Sequence, residues 1–89
     1  MKVYVVVKTY YYGENQTDER PLILGVFQKL DNAIERALQD YENKKKDNFI
    51  AFKEDIDNFK DNCFLEVFYN QIENYRDYYT LVIEETELE

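Results

Sequence analysis

The chain has 89 residues and a mass of 10.9 kDa, a size that fits one small domain rather than two. Its hydrophobic fraction of 45% and aromatic fraction of 17% are sufficient to fill a core, so the net charge of −8 does not force disorder. The chain has no His and a single Cys, which excludes the commonest near-neutral general base, zinc sites built on cysteines and internal disulfides, and we expect no cofactor and no metal.

The first segment alternates with a period of two. Three valines share its wholly apolar side: Val3, Val5 and Val7. The other side is mixed, and the pattern predicts a strand that the tyrosines at 10–12 extend towards Gly13. A polar loop with the only Pro follows, and the apolar run 22–27 predicts a second strand. Gly25 inside that run indicates a bulge or a close approach to the backbone.

The next segment has helical periodicity. Its apolar residues fall on one face: Ala33, Ile34, Ala37, Leu38 and Tyr41. Asp31 suits the N-cap or the first turn, and the lysines at 44–46 complement the negative end of the helix dipole. A phosphate-binding role for these lysines is an alternative, which the lack of Arg and aromatic neighbours disfavours.

Residues 48–62 allow two interpretations. Five apolar side chains follow the spacing 3, 4, 3, 4 of a helical seam: Phe49, Phe52, Ile56, Phe59 and Cys63. The spacing favours a second amphipathic helix. The tract at 49–53 could instead begin a strand.

Two more strands are predicted near the end, over 63–69 and 78–83, and we expect them to form a hairpin. The whole chain is then one α+β domain, residues 1–89, in the order β-β-α-α-β-β. It contains an antiparallel sheet of about four strands with one or two helices packed on one face.

Negative charge is concentrated in the second half of the chain. Residues 1–48 carry eight basic and eight acidic side chains, whereas residues 49–89 carry three and eleven. The acidic residues that we expect to contact a partner are Glu54, Asp55, Asp57, Asp61, Glu84, Glu85 and Glu87. In a strand, Glu85, Glu87 and Glu89 would share one face at intervals of roughly 6.6 to 7 Å. A solvated face that only maintains solubility is the alternative.

The tyrosines also allow two interpretations. Four of them are expected on solvent-facing sides of the strands: Tyr4, Tyr10, Tyr12 and Tyr78. They can be sheet formers whose hydroxyls reach water, or they can form an anchor patch, with Tyr78 part of it, for a partner protein or for a homodimer.

Catalytic and metal sites are not indicated. Asp55, Asp57, Asp61 and Glu66 imitate part of the spacing of an EF-hand loop, but Phe59 and Lys60 occupy its next ligand and glycine positions. Cys63 has only Lys60 as a nearby cation, which favours a packing role over a nucleophile. We therefore expect a protein that is not an enzyme.

Three segments carry a family resemblance: KVYVVV, LILGVF with the helix after it, and YYTLVIEETEL. They resemble small phage and prophage proteins of low-GC bacteria, and the size and acidity are similar to those of anti-CRISPR and other anti-defence proteins. The resemblance implies a mobile-element setting. Together with the concentrated negative charge, it leads us to expect an acidic inhibitor that binds a basic nucleic-acid-binding surface of a host defence protein in the bacterial cytoplasm. Binding of nucleic acid itself is disfavoured by charge, and no segment is long and apolar enough for a membrane span.

Overall fold

A computed structural model describes residues 1–11, 20–69 and 78–88. Its elements in chain order are β1 (Lys2–Tyr11), β2 (Arg20–Phe27), α1 (Leu30–Lys45), β3 (Phe49–Ile50), α2 (Lys53–Asp57), α3 (Phe59–Asn62), β4 (Phe64–Tyr69) and β5 (Tyr78–Glu87). The expected α+β class is confirmed, with five strands among the described residues in place of about four.

The strands form an antiparallel sheet in the order β2-β1-β5-β4-β3. The two longest strands, β1 and β5, are paired at its centre from Lys2 opposite Glu87 to Tyr11 opposite Tyr78. Because β1 extends to Lys2, it pairs with β5 beyond the predicted end at Ile83, and the acidic residues that follow become part of the strand. The predicted β4–β5 hairpin is confirmed.

Helix α1 packs on one face of the sheet, as its periodicity predicts. Ala33, Ala37 and Tyr41 are buried, and Ile34 and Leu38 pack against the core. The helix begins after Lys29, so Asp31 lies in the first turn rather than at the N-cap, and Lys44 and Lys45 lie in the last turn. Within the described ranges, no helix has the length and apolar character needed to cross a membrane.

The prediction of a single helix over residues 48–62 is wrong. Asn48 has a positive φ of 69°, and Phe49 and Ile50 then pair with the outer edge of β4. Two short helices follow, separated by Asn58. Pairing satisfies backbone groups of β4 that would otherwise form a bare sheet edge, and it removes the first part of the seam from any helix.

The core lies between the helices and one face of the sheet, the covered face. Its buried strand residues are Val6, Leu65, Val67, Tyr79, Leu81 and Ile83. In β1 the covered face is the mixed one, so the expectation that Tyr4 and Tyr10 face solvent is wrong: both pack against the core. Tyr12 lies outside the described residues.

Lys8 explains how the mixed side of β1 can face inwards. Its ammonium lies 2.9 Å from the Asp40 carboxylate on α1, and it lies 4.8 and 4.5 Å from the ring centroids of Tyr10 and Tyr79. A buried cation is tolerated when it is paired in this way, and aromatic faces add further attraction. The ion pair therefore allows the alternating strand to bury the side that contains a lysine.

Gly25 lies at a bulge and also at a close approach to its backbone, the two alternatives that the sequence indicates. Val6 is opposite Gly25 and Val7 is opposite Ile23, so Leu24 is the extra residue of a bulge. A side chain at position 25 would begin 2.7 Å from the Phe27 ring. A larger residue at position 25 would therefore require the Phe27 ring to move.

Candidate functional site

The face of the sheet opposite α1, here called the open face, carries the side chains that alternate with the core residues. Its apolar members are Val3, Val5, Val7, Tyr11, Ile23, Val26, Ile50, Phe64, Phe68, Tyr78 and Val82, of which Val3, opposite Thr86, is buried. None of them belongs to the core or to the set of side chains packed against it. The wholly apolar side of β1 therefore lies on the face that α1 does not cover.

Several open-face side chains are large and solvent-exposed. Ile23 is 68% exposed and Phe64 is 46% exposed, and Val26 and Ile50 are also exposed. Phe52, beside Phe68 at the end of the sheet, is 64% exposed. At roughly 200 Å² for a fully exposed large side chain, these five residues expose on the order of 500 Å². The five residues are distributed from the β2 edge to the β3 edge, and their total is in the range of the largest apolar patch of a typical monomer, roughly 300 to 600 Å², which is often functional.

An apolar row crosses the open face from edge to edge. Ile23, Val7, Val82 and Phe64 are consecutive register partners on β2, β1, β5 and β4. Four adjacent strands at about 4.8 Å spacing make this row about 14 Å long. It is a continuous apolar strip formed by residues that are distant in sequence.

An aromatic row crosses the same face near the other end of the sheet. The rings of Tyr11 and Tyr78 stack with centroids 4.7 Å apart, and Phe68 lies 6.4 Å from Tyr78. Phe52 meets Phe68 edge-on at 5.6 Å. Tyr78, the one aromatic residue predicted to contact a partner, therefore belongs to a ladder of four rings.

A polar row separates the apolar row from the aromatic row. Thr9, Thr80 and Glu66 are register partners across β1, β5 and β4. Glu66 is half-buried and forms no ion pair with any residue of the described segments. It is the carboxylate nearest the centre of the open face.

The acidic residues of α2 and α3 lie at the β4 side of the sheet. Glu54, Asp57 and Asp61 are exposed and Asp55 is half-buried, and none of the four forms an ion pair within the described part of the chain. The Cys63 carbonyl accepts a hydrogen bond from the Ile83 amide at 2.9 Å. That bond places the end of α3 beside the acidic half of β5.

The acidic residues of β5 are divided between the two faces. Glu84 is opposite Val5 on the open face and is exposed. Glu85 and Glu87 point to the other side, where the Lys2 ammonium is 3.7 Å from Glu85 and the N-terminal ammonium is 3.1 Å from Glu87. The seven predicted carboxylates thus do not form one surface, because strand alternation separates Glu84 from its neighbours. Glu89 lies outside the described residues.

The open face contains residues that sequence reasoning did not single out as contacts, chiefly Ile23, Val26, Phe64 and Glu66. One signal for it is present in β1, where Val3 to Val7 are all apolar. A strand that is apolar on both sides is typical of burial on both sides. In the described structure only one side of β1 is covered by a helix.

The described segments show little arrangement of side chains for metal binding or for catalysis. They hold no cluster of three or more His, Cys, Asp or Glu side chains placed to bind a metal ion. A shallow groove of about 630 Å³ is lined by α1 alone, and its carboxylates, on Asp31, Glu35 and Glu42, are solvent-exposed. Such carboxylates lack the desolvated setting that acid–base catalysis uses. Cys63, half-buried with a φ of 54°, caps α3.

Comparisons with protein-family models, with curated proteins and with solved structures give no match for this chain. The resemblance to phage and anti-CRISPR proteins therefore stays a prediction, and the open face is interpreted from its own residues.

Proposed function

We propose that this chain is a non-enzymatic protein-binding domain and that the open face is its contact surface. The observation that carries the proposal is the uncovered apolar area of the sheet, on the order of 500 Å². Covering that area at about 25 cal/mol per Å² gives on the order of 10 kcal/mol before the costs of association are subtracted. That gain is comparable to the costs of association, roughly 4 to 15 kcal/mol, so polar and charge complementarity must add to the apolar contact in a specific complex.

The charge of the open face favours a basic partner. Glu66 and Glu84 are its charged residues, and none of its described strand positions is Lys or Arg. The carboxylates of α2 and α3 add to the net negative charge of the protein, although both helices pack against the core on the covered side through Ile56 and Phe59. A partner with an apolar patch bordered by Lys and Arg is complementary in both respects, and opposite charge also accelerates encounter.

The proposal is tested with a displayed random peptide library as the probe. We expect the enriched peptides to combine bulky apolar residues with Lys or Arg, and to shift the NMR signals of Val7 and Val82 rather than those of α1. Phe64→Asp should weaken their binding by at least about tenfold, because it places a charge in the desolvated contact. Gln39→Asp, the matched change on the exposed side of α1, should leave it unaltered. Peptides that map to α1, or that bind Phe64→Asp equally well, would refute the proposal.

A second candidate function is the acidic decoy of a mobile element, which blocks a basic nucleic-acid-binding surface of a host defence protein. The unpaired carboxylates of α2 and α3 favour it. Inhibition of DNA cleavage by a guide-loaded CRISPR nuclease is a direct assay. The decoy requires that Asp57→Lys/Asp61→Lys lose inhibition, that salt weaken it and that Phe64→Asp retain it. The reverse pattern for the two variants would reject the decoy in favour of the open face.

A further inference from the structure

We propose that Glu66 selects the partner of the open face. It admits a surface that places a Lys or Arg side chain over it, and it prevents the open faces of two copies of this chain from packing together. This inference rests on the proposed function of the open face.

Glu66 lies between the two rows of the open face, where any surface that contacts both of them must reach. On its own strand it is between Phe64 of the apolar row and Phe68 of the aromatic row, and across the sheet it is opposite Thr80. A surface that contacts both rows therefore also covers the carboxylate between them. Glu66 itself is half-buried already, and no residue of the described segments pairs with it.

Covering an unpaired carboxylate is strongly unfavourable, because the charge loses water and gains nothing in exchange. A Lys or Arg of the partner offsets that loss when it meets Glu66 inside the contact. Apolar surfaces without such a cation are rejected. The carboxylate thus makes binding to a non-specific apolar face depend on a cation of the partner.

A second copy of this chain fails that requirement. Its open face presents Glu66 and Glu84 and no described Lys or Arg strand position, so face-to-face packing would bring like charges together in a desolvated contact. The net charge of −8 on each copy opposes association further. Without Glu66, the same apolar rows would suit a homodimer.

Sedimentation velocity over a concentration series tests the exclusion of self-association on the full chain. Wild type and Glu54→Leu, the matched change at an exposed carboxylate of α2, should remain monomeric. Glu66→Leu should dimerise with a dissociation constant at least about tenfold lower, and adding Val7→Lys to it should restore the monomer. Glu66→Gln, which keeps the shape of the side chain, should dimerise more weakly than Glu66→Leu and guards against a folding effect. Folded but monomeric Glu66→Leu and Glu66→Gln, or a wild type that dimerises through the open face, would overturn the exclusion.

Peptides from the library that contain Lys or Arg test the selection. Glu66→Gln should weaken their binding by about tenfold or more, whereas Glu54→Gln should change it less than about twofold. Equal binding to wild type and Glu66→Gln would overturn the role of Glu66 and leave the open face standing as a contact surface. Absence of any peptide on the open face would instead remove the proposed function, and the dimerisation result would still decide the self-exclusion independently.

Discussion

At the scale of single residues, the ion pair of Lys8 allows the mixed side of β1 to face the helix. Its ammonium pairs with Asp40, which is 32 positions away, and its side chain is almost completely buried. A buried ion pair is weak evidence of net stabilisation, because both charges lose their hydration. Removing one partner alone is nevertheless costly, because the other charge stays buried without compensation.

We therefore expect Lys8→Met to lower the free energy of unfolding by about 3 to 5 kcal/mol, measured by urea denaturation. The double variant Lys8→Met/Asp40→Leu should recover most of that loss, because it replaces the pair with apolar contacts. Lys45→Met, which breaks the exposed pair with Glu42, is the control and should change the value by less than about 1 kcal/mol. A double variant as unstable as Lys8→Met would contradict this account.

Tyr79 gives a prediction on alkaline stability. Its ring is fully buried, and its hydroxyl has no hydrogen-bond partner among the described residues. Burial, with a smaller contribution from the negative charge of Asp40, raises the pKa of the Tyr79 hydroxyl well above its ordinary value of 10.0. The unfolded chain therefore ionises at this position before the folded protein does. Its contribution to stability is complete below pH 10 and is lost as the pH rises further.

Tyr79→Phe tests this linkage. Above pH 10 the wild type should lose up to about 1.4 kcal/mol more stability per pH unit than the variant, because the variant has no proton to release there. At pH 7 the variant should be equal to wild type or more stable by about 1 kcal/mol, because it lacks the unpaired hydroxyl. Parallel stability curves above pH 10 in urea denaturation would show that Tyr79 ionises at its ordinary pH.

At the scale of elements, the segment between α1 and β4 forms a strand and two short helices rather than one continuous helix, and two of its phenylalanines distinguish these structures. Phe52 and Phe59 occupy equivalent positions on the predicted seam, but Phe52 is exposed and Phe59 is 1% exposed. Phe59→Ala should destabilise the protein by about 3 to 5 kcal/mol, because it leaves a cavity in the core. Phe52→Ala should cost less than about 1 kcal/mol. Similar losses in thermal or urea unfolding would indicate the continuous helix instead.

At the scale of the whole molecule, the net charge of −8 opposes the compact state through self-repulsion. Asp57→Lys/Asp61→Lys halves that charge at two exposed positions, and neither position has an ion-pair partner among the described residues. We expect this variant to be more stable than wild type by up to about 1 kcal/mol at low salt, and the difference to disappear near 1 M salt, where screening reaches about 3 Å. A less stable variant at low salt would mean that the two carboxylates make favourable contacts in the folded protein.

The sequence by itself determined the elements whose pattern is long and local. The alternation in β1 and β5 and the helical period of α1 extend over many residues and have a single solution. Its charge distribution and the lack of His also followed directly from the residues. Of the aromatic residues on the open face, the sequence indicated only Tyr78 as a contact residue. Glu66 was noted in the sequence only because its spacing from Asp55, Asp57 and Asp61 is similar to that of ligands in a calcium-binding loop.

The tertiary structure alone decided which faces are buried and which residues become neighbours. The inward side of β1 depends on Asp40 from α1, and the strand at Phe49 depends on the free edge of β4. The apolar row exists because register aligns residues of four strands, and the division of the acidic residues follows from alternation in β5. Each of these outcomes is set by contacts between segments distant in the chain, so no local pattern could specify them.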